Sequence, residues 1–97
     1  MRIEEKRREI DEIDARIVDL LDRRAAIARE ISLIKLSAGL PIIDGQRENE
    51  IIRRLSQRPM GSVGVAAIAR IYRVILDESC RIQAKVRGEQ AVNGVSG

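Results

Sequence analysis

Histidine, tryptophan and phenylalanine are absent from this sequence, and Tyr72 is its one aromatic residue. Without histidine there is no histidine-based catalytic triad and no histidine metal site. Cys80 is the lone cysteine, so an internal disulfide framework is excluded, and one thiol among scattered carboxylates makes no metal motif. No apolar signal segment and no membrane-length apolar run are seen, which with the lone cysteine predicts a cytoplasmic protein with no membrane partner. The shortage of aromatics removes the stacking platform expected of a single-strand nucleic-acid binder. Acidic residues are interspersed with the basic ones and the formal charge is only +3, so no nucleic-acid partner is expected. The same charge suits an anionic small molecule held by a few buried cations.

What is present is helical in pattern. The chain has 97 residues, enough for one domain, with 44% apolar and 34% charged residues and no alternating β-type runs. The reading is an all-α protein. Residues 2–38 contain neither glycine nor proline, and Ile3, Ile10, Ile13, Ile17, Leu20, Ile27, Ile31 and Ile34 keep a seven-residue rhythm. From Ile10 onward the steps alternate three and four, and the exception within that seam is Arg24. A helix of about 37 residues would be roughly 55 Å long, whereas a compact globule of this size has a radius of gyration near ~13 Å. Part of the seam must then be covered by another chain, which predicts a homodimer or higher oligomer of packed long helices.

Gly39 and Pro41 predict the end of that helix, and the partly apolar linker Gly39-Leu40-Pro41-Ile42-Ile43 is expected to pack down. Asp44 is a good N-cap for a second helix that fades by Gln57, with Ile51, Ile52 and Leu55 on its inner stripe. After the turn Arg58-Pro59-Met60-Gly61-Ser62, with Ser62 a candidate cap, a third helix is predicted from about Val63 to Arg87. The expected organisation is one helical domain over 1–87 and a flexible C-terminal tail over 88–97.

Polar residues intrude on these apolar faces. Arg24 and Ser79 occupy seam positions; Lys35 lies three turns after Arg24, and Gln83 one turn after Ser79. The second helix brings Asp44, Arg47 and Glu48 at its start. Taken singly, each has an ordinary explanation. Arg24 could fix register, Ser79 could be a small packing residue, and Gln83 a solvated flank. Asp44 could be only a cap, Arg47 and Glu48 an exposed pair, and Lys35 a complement to a helix C-terminus. Their joint occurrence points further. A buried arginine needs an anion, and the seam around Arg24 offers no acid. Side by side, the three helices could line one polar cavity suited to a small dianion bearing hydroxyl groups.

At these residues the chain resembles the all-α bacterial class of chorismate mutase over about residues 5 to 84. The motifs are Arg7 with Ile10, Ile13 and Asp14; Leu20-Leu21-Asp22-Arg23-Arg24; Ile34-Lys35; Pro41-Ile42-Ile43-Asp44 with Arg47-Glu48; and Asp77-Glu78-Ser79 with Gln83. The resemblance implies three helices per chain, one very long, in an intertwined helical homodimer with two active sites. It implies that Arg7 is donated across the dimer and that Arg24 binds a substrate carboxylate within the subunit. Lys35 would contact the side-chain carboxylate and the ether oxygen, and Gln83 would be the second donor to that oxygen. Glu48, with the backbone at Asp44, would hold the ring hydroxyl; Ser79 would assist a carboxylate and Arg47 would border the pocket. The implied reaction is the rearrangement of chorismate to prephenate, used in phenylalanine and tyrosine biosynthesis. It needs no cofactor, metal or nucleophile, which agrees with the missing histidine and with a Cys80 outside these motifs. Two alternatives stand beside it: isochorismate pyruvate lyase, which shares the fold, and a non-catalytic helical dimerisation or regulatory module.

Overall fold

The computed structural model describes the backbone of residues 2–96 and the side chains of 2–91. The elements are α1 (Arg2–Ala38), α2 (Gly45–Ser56) and α3 (Val65–Ser96). Helix α3 packs against both α1 and α2 and is the element that joins them.

The punctuation residues act locally as their chemistry requires. Gly39 takes φ +69°, and its N–H reaches Leu36 O at 3.3 Å while Leu40 N–H reaches Lys35 O at 2.8 Å. Those two bonds are a Schellman cap, and Pro41 prevents the helix from resuming. At the start of α2 the Asp44 carboxylate accepts the Arg47 N–H at 3.0 Å. Acidic Glu4 and Glu5 in the first turn of α1 and Lys35 in its last turn complement the helix dipole.

Three expectations are corrected. Ser62 does not cap α3: Gly64, at φ +82°, precedes the helix, and its carbonyl accepts the Ile68 N–H at 3.2 Å. Helix α3 does not stop at Arg87 but continues through Gly88 to Ser96, so the segment assigned to a tail is helical up to its last residue, Gly97, which lies outside the described residues. A helix-interior glycine costs only about 1 kcal/mol relative to alanine. Here contacts from outside the helix support it: Arg87 donates to Leu40 O at 2.7 Å, and Glu89 pairs with Arg29 of α1 at 3.7 Å. The α1–α2 linker is not packed down in the single chain, since Leu40 and Ile43 are 51% and 68% exposed and only Ile42 is half-buried.

The core is small. Ala28, Ile51, Leu76 and Val86 are its buried apolar side chains, and Ser32 and Gln83 are buried polar ones. Helix α1 therefore meets α3 through the small residues Ala28 and Ser32, one helical turn apart, which permit close backbone approach. The isoleucine seam lies beside this contact and is exposed in the single chain from Ile3 to Ile34. The chain extends 62 × 28 × 15 Å with a radius of gyration of 17.5 Å, well above the ~13 Å of a compact domain of this length. No helix among the described residues is long and apolar enough to cross a membrane.

Candidate active site

A cavity of about 400 Å³ opens where the three helices meet. Helix α1 contributes Arg24 and Lys35, with Ile27, Ala28 and Ile31 as an aliphatic wall between them. Helix α2 contributes Asp44, Arg47, Glu48 and Ile51 from its N-terminal end, and α3 contributes Leu76, Ser79, Cys80 and Gln83. Seven of the eight residues singled out in the sequence thus face one space. Arg7 does not. It is exposed, paired with Glu4 at 3.3 Å, and lies roughly 25 Å along α1 from Arg24 at about 1.5 Å per residue.

The cations are the distinctive feature. Arg24 is half-buried and its Nη1 donates to the Ser79 hydroxyl. Lys35 is half-buried, and its Nζ donates to Ile42 O at 2.8 Å and to Gln83 Oε1 at 3.0 Å. Among the described residues, neither has an ion-pair partner; both are held by neutral groups. A cation drawn partly out of water and given only neutral partners retains a strong preference for an anion. The third ammonium N–H of Lys35 remains unassigned to these acceptors.

Gln83 is 7% exposed, so the solvated-flank reading of this residue is wrong. Because an ammonium only donates, the Lys35 contact fixes the oxygen of the Gln83 amide toward Lys35. The amide NH₂ is then available for an acceptor elsewhere. The backbone under Gln83 is also held, since Ser32 Oγ, fully buried on α1, donates to Gln83 O at 3.0 Å.

The acids are occupied in other ways. Asp44 is engaged as the cap, Arg47 pairs with Glu50 at 2.9 Å, and Glu48 pairs with Arg73 at 2.8 Å. Arg47 and Glu48 therefore do not pair with each other. Cys80, although outside the sequence motifs, lies in the cavity wall, and its Sγ is 3.8 Å from Glu48 Oε2. Burial, then the Glu48 charge and the contact with its carboxylate, push the Cys80 thiol above its ordinary pKa. Sequence reasoning also missed Ser32 and Arg73. Ser32 carried a faint signal, as a small polar residue one turn from Ala28; Arg73 carried none, because its partner is on another helix.

Fold and cavity define an all-α domain with a cavity, lined by Arg24 and Lys35, assembled from three helices. Residues 6–84 match the sequence model of the family described as chorismate mutase type II. The chain is 39% identical over 89 residues to the bifunctional chorismate mutase/prephenate dehydratase of Aquifex aeolicus, covering 88% of this chain and 25% of that protein. It is 39% identical over 54 residues to the chorismate mutase of Methanocaldococcus jannaschii, covering 56% of this chain and 54% of that one. The chain thus spans a quarter of the first relative and about half of the second. Its fold matches the crystal structure of Helicobacter pylori chorismate mutase in complex with prephenate at TM-score 0.84 and 37% identity, over 90% of this chain and 94% of that one. This chain belongs to the chorismate mutase type II family.

Proposed function

We propose that this chain converts chorismate to prephenate as a homodimer in the cytoplasm. The observation that carries the reading is the pair of half-buried cations, Arg24 and Lys35, facing one aliphatic-walled cavity without an acid of their own. Such a cavity suits a small dianion, and the family relationship names it.

The reaction is an intramolecular [3,3] shift in which a C–O bond breaks as a C–C bond forms, with no proton transferred. Two tasks remain for the protein. The first is to hold a flexible dianion in its compact reactive conformer, a positioning effect. Arg24, supported by Ser79, clamps one carboxylate, and Arg7 of the partner subunit clamps the other. The second is to stabilise the negative charge that grows on the ether oxygen. Lys35 and the amide NH₂ of Gln83 are the donors for it. Fixed donors in a dry site are typically worth about 2.7–4 kcal/mol each. Glu48 and the backbone at Asp44 hold the ring hydroxyl, and Arg47 borders the site.

The dimer reading rests on the exposed α1 seam. Ile3, Ile10, Ile13, Ile17 and Leu20 are 48–58% exposed along the half of α1 that carries Arg7. A contiguous aliphatic stripe of that length requires a cover, and a second copy of α1 has the matching heptad pattern.

The test is consumption of chorismate by the wild-type protein and Lys35→Ala, with identification of the product and isochorismate as a parallel substrate. Prephenate from chorismate, lost in Lys35→Ala, supports the reading. Pyruvate release from isochorismate alone would assign the lyase reaction instead.

A further inference from the structure

Glu48 presents a problem that the cavity itself does not solve. A carboxylate stands in the wall of a site whose cations must stay available to an anion. Left to itself, Glu48 could turn toward those cations and neutralise them. It is instead held from behind. Arg73, on α3 and outside the cavity lining, reaches across to α2 and donates from Nη1 to Glu48 Oε1 at 2.8 Å. The second oxygen, Oε2, faces the Cys80 thiol at 3.8 Å. The Glu48 side chain is 17% exposed and that of Arg73 47%, so the bond joins a largely buried acid to a base at the surface. Each carboxylate oxygen keeps acceptor capacity beyond the one contact it makes here.

We propose that Arg73 is the positioning residue for Glu48, holding its carboxylate at the cavity wall, aimed at the substrate hydroxyl and away from the site's cations. This rests on the assignment of Glu48 to the ring hydroxyl. Arg73 touches no substrate; it acts through Glu48. The thiol of Cys80, neutral at neutral pH because burial and Glu48 raise its pKa, completes the cradle as a weak donor without adding a second negative charge.

The test is a double-mutant cycle on the full chain, with Arg73→Gln and Glu48→Gln singly and together. In the wild-type background Arg73→Gln should lower kcat/KM by roughly ten- to a hundredfold, the scale of one hydrogen bond to a charged group. In the Glu48→Gln background the same change should cost nothing further. Arg73→Lys should recover part of the loss. Equal losses from Arg73→Gln in both backgrounds would overturn the proposal and leave Arg73 a structural link between α2 and α3. A second readout does not depend on turnover: the pH dependence of alkylation of Cys80 by iodoacetamide. Arg73→Gln should alter that titration when Glu48 is present and leave it unchanged when residue 48 is Gln. A wild-type protein inactive on chorismate would refute the assigned reaction, while the thiol titration would still decide whether Arg73 controls Glu48.

Discussion

Lys35 Nζ stands 3.0 Å from Gln83 Oε1, so a residue at the end of α1 sets the orientation of an amide buried on α3. The same ammonium is tied to Ile42 O at 2.8 Å in the linker. One cation thereby positions its own remaining N–H and the NH₂ of its neighbour. Lys35 and Gln83, the two donors proposed for the ether oxygen, are joined in one hydrogen-bonded unit.

Lys35→Ala should therefore cost more than one donor. It removes the cation and releases the Gln83 amide, so kcat/KM should fall by at least the roughly 10²–10³-fold typical of one lost donor. Gln83→Ala should cost less, because a neutral donor is weaker than a charged one. Steady-state kinetics on both variants, with circular dichroism to verify folding, measures the order. A smaller loss for Lys35→Ala than for Gln83→Ala would contradict the coupling.

Subunit exchange tests the assignment of Arg7. Arg7→Ala and Arg24→Ala homodimers should each be nearly inactive. Mixing them under exchange conditions should restore activity, because a heterodimer can combine both intact arginines in one of its two sites. If the mixture stays as inactive as its components, the site is built within one chain.

Activity should not require acidic pH. Gln83 has no proton to lose or gain, so no donor to the ether oxygen depends on acid. The kcat profile is expected to be flat from neutral pH into the mildly alkaline range. A rate that climbed steeply only below neutrality would remove Gln83 from this role.

Ser32 should matter for stability. Its hydroxyl is fully buried and bonded to Gln83 O. Ser32→Ala should cost about 1 kcal/mol, the net worth of such a bond. Ser32→Leu should cost about 1–3 kcal/mol or more by forcing α1 away from α3. Thermal unfolding at one fixed protein concentration compares them, since the stability of a dimer depends on concentration. An equal melting temperature for wild type and Ser32→Leu would mean that the α1–α3 contact is not as close as described.

Cys80 gives stability a definite pH dependence. Its folded-state pKa is raised, so folding favours the protonated thiol. That contribution is fully present below the unfolded cysteine's pKa of roughly 8.5 and is lost as pH rises through the higher folded value. Relative to Cys80→Ala, the wild type should lose stability as pH rises above roughly 8.5 toward the higher folded value. A difference between the two proteins that stays constant with pH would show that neither burial nor Glu48 perturbs the thiol.

The elements were legible wherever a residue acts on its own backbone. The glycine- and proline-free run set α1, Gly39 and Pro41 stopped it, and Asp44 started α2, because capping and chain-breaking are local chemistry. Seven of the eight residues singled out as polar side chains near apolar helical faces line one cavity. The errors fall where distant contacts decide. Gly88 reads as a helix end, yet bonds from Arg87 to Leu40 and from Glu89 to Arg29 accompany α3 onward. Gln83, a flank residue when taken singly and a site donor in company, is buried by the approach of α1 through Ala28 and Ser32.

By itself, then, the sequence determined an all-α chain with one helix too long for its own domain and cations where aliphatics belong. Periodicity and local capping are sufficient for that. Only the tertiary structure decided which groups meet: that Glu48 pairs with Arg73 and not Arg47, that Cys80 enters the cavity wall, and that Lys35 orients Gln83. Those pairings depend on the rotation and separation of α3 against its neighbours, and helical spacing within one segment carries no information about either.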